Sequence, residues 1–159
     1  MIKDTGERRE FETGAVRDTP EGKGRCDLLP IDIVANIVPT NDVLKDIAMY
    51  QLNKGTKWLY KAILDFAAVN GWSVPTLVLE VAKHFEEGAE KYGEYNWQKG
   101  IPLHCYIDSG VRHYLKWVRG DIDENHDRAF VWNMLCALWT IEHKPDLDDI
   151  PDMLPDSTK

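Results

Sequence analysis

The sequence predicts an all-α fold, a bundle of four to five helices. Three observations lead there. Apolar residues recur at helical spacing in several long segments. Those segments are separated by glycine and proline at the positions that start and stop helices. No stretch shows the two-residue alternation of a half-buried strand, and no internal repeat is present.

The elements follow in order. Residues 1–30 are polar, combine glycines with basic residues, and read by composition as a flexible arm that could also order over a binding site. In CDLLPIDIVANIVP, Pro30 precedes a short apolar turn or helix. Thr40 or Asn41 can cap a helix reaching about Asn53, and a second runs from Thr56 to Asn70, closed by Gly71. Ser73 and Pro75 open the next helix and Gly93 closes it. Pro102 opens another, stopped by Gly120, and the last starts near Asp123 to Asn125 and ends about Glu142. The helical domain is thus 31–142, and 143–159 is an acidic, proline-punctuated tail expected to be loosely held.

Composition narrows the function. The 159 residues suit one domain, and 43% are hydrophobic, enough for a real core. Six tryptophans offer apolar area for a core or an interface. A net charge of −8 argues against duplex nucleic acid as partner, but not against a nucleotide, since a bound divalent cation reverses the local charge. Cys26, Cys105 and Cys136 form no CxxC pair, which fits a reducing cytoplasm better than a disulfide framework. MIKDTGERRE lacks the apolar run of a signal peptide, and no window approaches a membrane span.

The most informative stretch is KHFEEGAEKYGEYNW. At about 100° per residue, Val78, Val81, Phe85, Ala89 and Tyr92 make one stripe. Glu86 flanks it, Glu90 lies further round, and Glu87 points nearly opposite. Glu86 and Glu90 are neighbours at i, i+4, where like charges repel unless a cation lies between them. Either this is a solvated acidic face, or it is a cup for a hard cation such as Mg²⁺. In the last helix, Glu124 and Asp127 give an E-x-x-D spacing that places two carboxylates on one face, and two helices projecting carboxylates inward can build a metal site. AFVWNMLCALW is apolar on almost every side, so Asn133 in its middle needs partners, structural or functional. His126, two turns earlier on the same face, is either a capping histidine or part of a site. Asp108 and Arg112 are a surface ion pair, or a metal ligand and a phosphate clamp. His113 covers a core or contacts a base. GAVRD and GKGR combine glycines with Arg17, Lys23 and Arg25, a weak phosphate signal beside Asp18 because the P-loop spacing is missing.

The runs FETGAVRDTPEGKGRCDLLP, HFEEGAEKYGEYNWQKGIPLHCYIDSGVRHYLKWVRGD and HDRAFVWNMLCALWT resemble the phage and prophage dATP/dGTP diphosphohydrolase N-terminal domain family, with residues near 38–72 resembling an insertion. That family is similar, more distantly, to the MazG-like all-α nucleoside triphosphate pyrophosphohydrolases. The resemblance implies a Mg²⁺ (or Mn²⁺) site on Glu86, Glu87, Glu90, Glu124 and Asp127, with Asp108 near, and with Glu86, Glu90 and Asp127 as catalytic carboxylates. Arg17, Lys23, Arg25, Lys91 and Arg112 become phosphate clamps. Asn96, Trp97, His113, His126 and Asn133 become contacts to base and sugar, or supports for them. The implied activity is cleavage of purine dNTPs to dNMP and pyrophosphate, in a homo-oligomer. The alternative is a phage protein that sequesters a nucleotide, such as a host immune signal, without cleaving it.

Overall fold

The computed structural model describes residues 6–40 and 42–151. Asn41, one of the two candidate caps, and residues 152–159 of the tail lie outside them. Six α-helices carry the fold: α1 (Ile31–Val34), α2 (Asp42–Asn53), α3 (Lys57–Val69), α4 (Val74–Tyr92), α5 (Leu103–Arg119) and α6 (His126–His143). The expected punctuation holds them. Ser73 Oγ accepts from the Thr76 amide at 3.3 Å, satisfying a donor that α4 leaves open. Gly93 ends α4 at φ 96°, a conformation that disfavours any side chain. Among the described residues no single helix is long and apolar enough to cross a membrane.

Helix α6 is the centre of the bundle and touches α3, α4 and α5, while α2 packs on α1 and α3. Phe66 of α3 joins Trp72, Tyr114, Trp117 and Phe130 in an aromatic core. A second aromatic chain runs from Trp132 through Phe85 and Trp97 to Trp139. Helices α5 and α6 meet closely at Gly110. A Cβ there would stand 2.5 Å from Met134 Cε and 3.4 Å from Asn133 Cβ. The missing side chain lets the polar face of α5 lie directly beside Asn133.

The N-terminal arm contains two strands, β1 (Arg8–Glu10) and β2 (Val16–Asp18), paired antiparallel with Arg9 opposite Arg17. Strands of three residues are too short to show alternation in sequence. Their register is held from outside the hairpin. The Asn96 amide accepts from Val16 N at 2.9 Å and donates to Val16 O at 2.8 Å. Asp18 accepts from Lys91 Nζ (3.1 Å) and Tyr92 Oη (3.0 Å) on α4, and from Arg8 within the hairpin (2.9 Å).

The start of the tail is docked rather than loose. Asp148 accepts from Tyr50 and Lys54, each at 3.0 Å, and Asp149 bonds the backbone and ring of His104. Ile150 is 7% exposed and enters the core. Acidic composition predicts solvation, but the partners Tyr50, Lys54 and His104 outweigh it.

Candidate functional site

The hairpin, the loop after it, α4, α5 and α6 enclose a cavity of about 390 Å³. Helix α4 contributes His84, Gly88 and Tyr92, spaced by four, so one face of the helix forms a wall and the glycine leaves room. Helix α5 contributes Asp108, Ser109, Arg112, His113 and Lys116, and α6 contributes Trp132 and Asn133.

The lining is cationic although the chain is acidic. Arg9, Arg17, Lys23, Arg25, Arg112 and Lys116 face three carboxylates, Asp18, Asp108 and Glu124. Asp18 and Asp108 are engaged within the protein. Asp18 is the strut between hairpin and α4, and Asp108 accepts from Arg112 Nη2 and the Cys26 amide, each at 2.6 Å. Arg112 also donates to Gly24 O at 2.7 Å, so it pins the GKGR loop to α5. Arg25 is exposed and forks onto Asp27 at 2.7 and 2.6 Å. Arg17 lies over the rings of Tyr106 (5.3 Å) and Trp132 (5.6 Å) and reaches Asn133 Oδ1 at 3.3 Å. Asn133 Nδ2 donates back to Ala129 O at 2.8 Å, so the buried amide has a partner on each side.

Three buried donors on this lining have no hydrogen-bond partner among the described residues: Arg17 Nη1, Arg112 Nε and Trp132 Nε1. An unpaired buried donor costs about 1–3 kcal/mol, so each of the three would gain from an acceptor brought to it.

Burial also tunes the histidines. It pushes His84 down to about 4, with neighbouring cations adding to the effect. Burial first, then His126, lowers His113 well below the usual histidine value. His113 Nδ1 lies 2.9 Å from His126 Nδ1, and His126 Nε2 lies 2.8 Å from Asp123 Oδ1. At the cavity's other side Arg9 Nη2 donates to Cys105 Sγ at 3.0 Å, and His104 Nε2 lies 3.5 Å from the same sulfur. That contact first, and then Asp149, raises His104 to about 9. His84, Gly88, His104, Lys116 and Trp132 were not foreseen from sequence. The four-residue spacing of His84, Gly88 and Tyr92 was the available signal.

The expected carboxylate set is arranged differently. Glu86 and Glu90 are exposed and Glu87 is half-buried, the reverse of the orientation that the stripe through Val78 predicts. Val78 is itself 52% exposed, whereas Leu77 and Val81 are buried, so the inner face is turned towards His84 and Gly88. The E-x-x-D pair is divided too. Helix α6 begins at His126, so Glu124 belongs to the preceding loop and does not share a helical face with Asp127. Glu124 and Asp108 reach the cavity; Glu86, Glu87, Glu90 and Asp127 do not line it. Asp127 sits in the first turn of α6, where a carboxylate favours the helix dipole, and accepts from Arg128 N at 2.8 Å. Among the described residues, the carboxylates expected to hold Mg²⁺ do not converge on this cavity.

Of the residues expected at the nucleotide, Arg17, Asp18, Lys23, Arg25, Asn96, Arg112, His113 and Asn133 line the cavity. Lys91, Trp97 and His126 do not. Lys91 is tied to Asp18, Trp97 packs between Phe85 and Trp139, and His126, 2% exposed, stands behind His113. Asn96 bonds Val16 through both its amide oxygen and its amide nitrogen, which makes it a clamp on the hairpin.

Residues 54–150 match the family model described as dATP/dGTP diphosphohydrolase, N-terminal. The hairpin and the GKGR loop precede the matched residues. No curated protein and no solved structure matches the chain.

Proposed function

Because the chain belongs to the dATP/dGTP diphosphohydrolase N-terminal family, we propose that it hydrolyses purine deoxynucleoside triphosphates to the monophosphate and pyrophosphate, with a divalent cation, Mg²⁺ or Mn²⁺, as cofactor. The observation that carries this reading is the group of three unpartnered donors, Arg17 Nη1, Arg112 Nε and Trp132 Nε1, on one cavity lining. A triphosphate supplies oxygens for the two guanidinium groups, and charge-assisted bonds of this kind are the strong ones. Lys23 and Lys116 add positive potential to the lining and attract the anion. The Trp132 ring, with Tyr92 and Phe11, offers apolar surface for a base, and the indole N–H offers a polar contact. The cation, when bound, supplies charge neutralisation and an activated water. The chain's own work is to hold the phosphates in line and exclude bulk water, through the hairpin closed over the cavity by Asn96 and Asp18.

The exposed apolar residues Tyr60, Leu64, Val69, Val74, Val78 and Leu79 on and beside α3 and α4 support a homo-oligomer. Incubation with Mg²⁺ or Mn²⁺ and a panel of ribo- and deoxynucleoside triphosphates, with pyrophosphate and monophosphate measured, tests the activity. Release from purine dNTPs is expected. No pyrophosphate from any nucleotide, with an intact circular dichroism spectrum, overturns it.

A second reading, capture without cleavage, draws on the commitment of Asp18 and Asp108 to protein partners, which leaves few carboxylates for chemistry. Submicromolar nucleotide binding that survives EDTA, without turnover, would establish it.

A further inference from the structure

We propose that His113, Glu124 and His126 form a binding site for one first-row transition-metal dication, where the middle of α5 meets the start of α6. The site stands independently of the proposed hydrolase activity, because occupancy is measured without nucleotide.

One ligand atom from each of the three residues lies within 4.8 Å of the others. The two Nδ1 atoms are 2.9 Å apart. Two imidazole nitrogens bound to one metal at about 2.0–2.1 Å are about 2.9 Å apart at right angles and about 3.3 Å apart in a tetrahedral shell. The rings thus stand within about 0.5 Å of the spacing of two ligands of one ion, and a shared proton bridges them when no ion does. Second, His126 Nε2 is anchored on Asp123 Oδ1 at 2.8 Å. A carboxylate behind a ligating histidine fixes its tautomer and leaves the opposite nitrogen as a lone-pair donor. Third, the pair is held rigidly. His126 is 2% exposed, and its ring lies 5.1 Å from the His113 ring, centroid to centroid.

The backbone explains why these groups meet. Gly120 ends α5 in the left-handed conformation, and the turn that follows returns α6 along α5. Glu124 is in that turn and His126 is the first residue of α6. His113 and Glu124 both line the cavity, so an ion held by them borders the space assigned to the phosphates.

Two imidazoles and one carboxylate select the ion. Mg²⁺ prefers an oxygen shell, whereas imidazole suits zinc, iron, nickel, cobalt and copper. A neighbouring group, Asp121, Asp123 and His126, is also compact. There, however, Arg119 already forks onto Asp121, which opposes a second cation at that carboxylate.

The test uses the full chain, stripped with chelator and titrated with Co²⁺, Zn²⁺, Mn²⁺ and Mg²⁺. Stoichiometry is read by elemental mass spectrometry after dialysis, and ligand type by the visible absorption of Co²⁺. One tightly held Co²⁺ or Zn²⁺ per chain is expected, with nitrogen-ligand bands, and with Mg²⁺ a poor competitor. His113→Asn and Glu124→Gln should each weaken binding at least ~10-fold, as disturbing even an outer partner of a metal ligand does. Asp121→Asn and Glu86→Gln should leave it unchanged. His126→Ala is informative only if thermal melting shows a fold; the His113 and Glu124 variants keep the test intact if it does not. Unchanged stoichiometry in both of those variants, or loss only in Asp121→Asn, overturns the assignment. Failure of nucleotide turnover with metal binding intact would count against the proposed activity and leave the site standing.

Discussion

Replacing Arg17 by Met separates a ligand-binding arginine from a structural one. Methionine keeps an apolar stem of similar reach and removes every donor. In the free protein Arg17 gains little. Its hydrogen bond to Asn133 is long at 3.3 Å and contributes about 1 kcal/mol. The contacts over Tyr106 and Trp132, at 5.3 and 5.6 Å, contribute about 1 kcal/mol each. Against this, burying Nη1 without an acceptor costs about 1–3 kcal/mol. These effects partly cancel, so Arg17→Met should lower stability by about 2 kcal/mol or less. When a triphosphate oxygen meets Nη1, the same nitrogen gains a charge-assisted bond of about 1.5–3 kcal/mol. Affinity for a triphosphate should therefore fall about 10- to 150-fold. Urea unfolding without ligand gives the first quantity, and calorimetric titration with a non-hydrolysable dATP analogue gives the second. A stability loss above about 3 kcal/mol with unchanged affinity would show that Arg17 is a strut for the hairpin, and the phosphate assignment would fail.

Three further outcomes are expected. His84, held down to about 4 by burial against an ordinary 6.5, is neutral at pH 7 in both folded and unfolded chains. Its effect on stability is therefore nil above about pH 6.5 and grows as pH falls towards 4, reaching about 3 kcal/mol. Urea unfolding should thus show His84→Gln losing about that much less than the native chain between pH 7 and pH 4; parallel pH profiles would contradict the buried environment. Gly100→Ala forces a side chain onto φ 116° and places its Cβ 2.7 Å from Leu147 Cδ1, so unfolding free energy should fall by about 2–4 kcal/mol. Gly93→Ala, with nothing within 4 Å, should lose only about 1 kcal/mol in the same measurement, and equal losses would discount the close contact. Glu86→Gln and Glu90→Gln, on the exposed face of α4, should leave nucleotide affinity and any turnover within about twofold. A tenfold loss in either would mean that a second copy covers that face and completes the site.

The helix ends were legible because local chemistry decides them. Ser73 caps α4, Pro102 precedes α5, and Gly93 and Gly120 stop α4 and α5 whatever the rest of the chain does. The inner face of α4 was not legible, because its apolar residues run past the stripe that is buried. Val78 and Leu79 are 52% and 69% exposed, so a stripe drawn through Val78 is turned away from the true one and exchanges Glu86 with Glu87. The hairpin was hidden for a different reason. Its strands have three residues each, and Asn96, which fixes them, is far away in sequence. Asn133 was legible as a polar group needing partners, yet one partner, Arg17, comes from that same unforeseen hairpin. His126 shows the limit most clearly. Read along the chain it is a single histidine on the same face as Asn133 and two turns away. Only the turn after Gly120 lays it against His113, and the two become a pair with Asp123 behind and Glu124 beside them. Chemistry that depends on one helix face can be counted from spacing. Chemistry shared between a helix, a turn and the next helix depends on where the turn ends, and here α6 begins two residues beyond Glu124, which breaks the E-x-x-D pair and leaves Glu124 beside the two imidazoles.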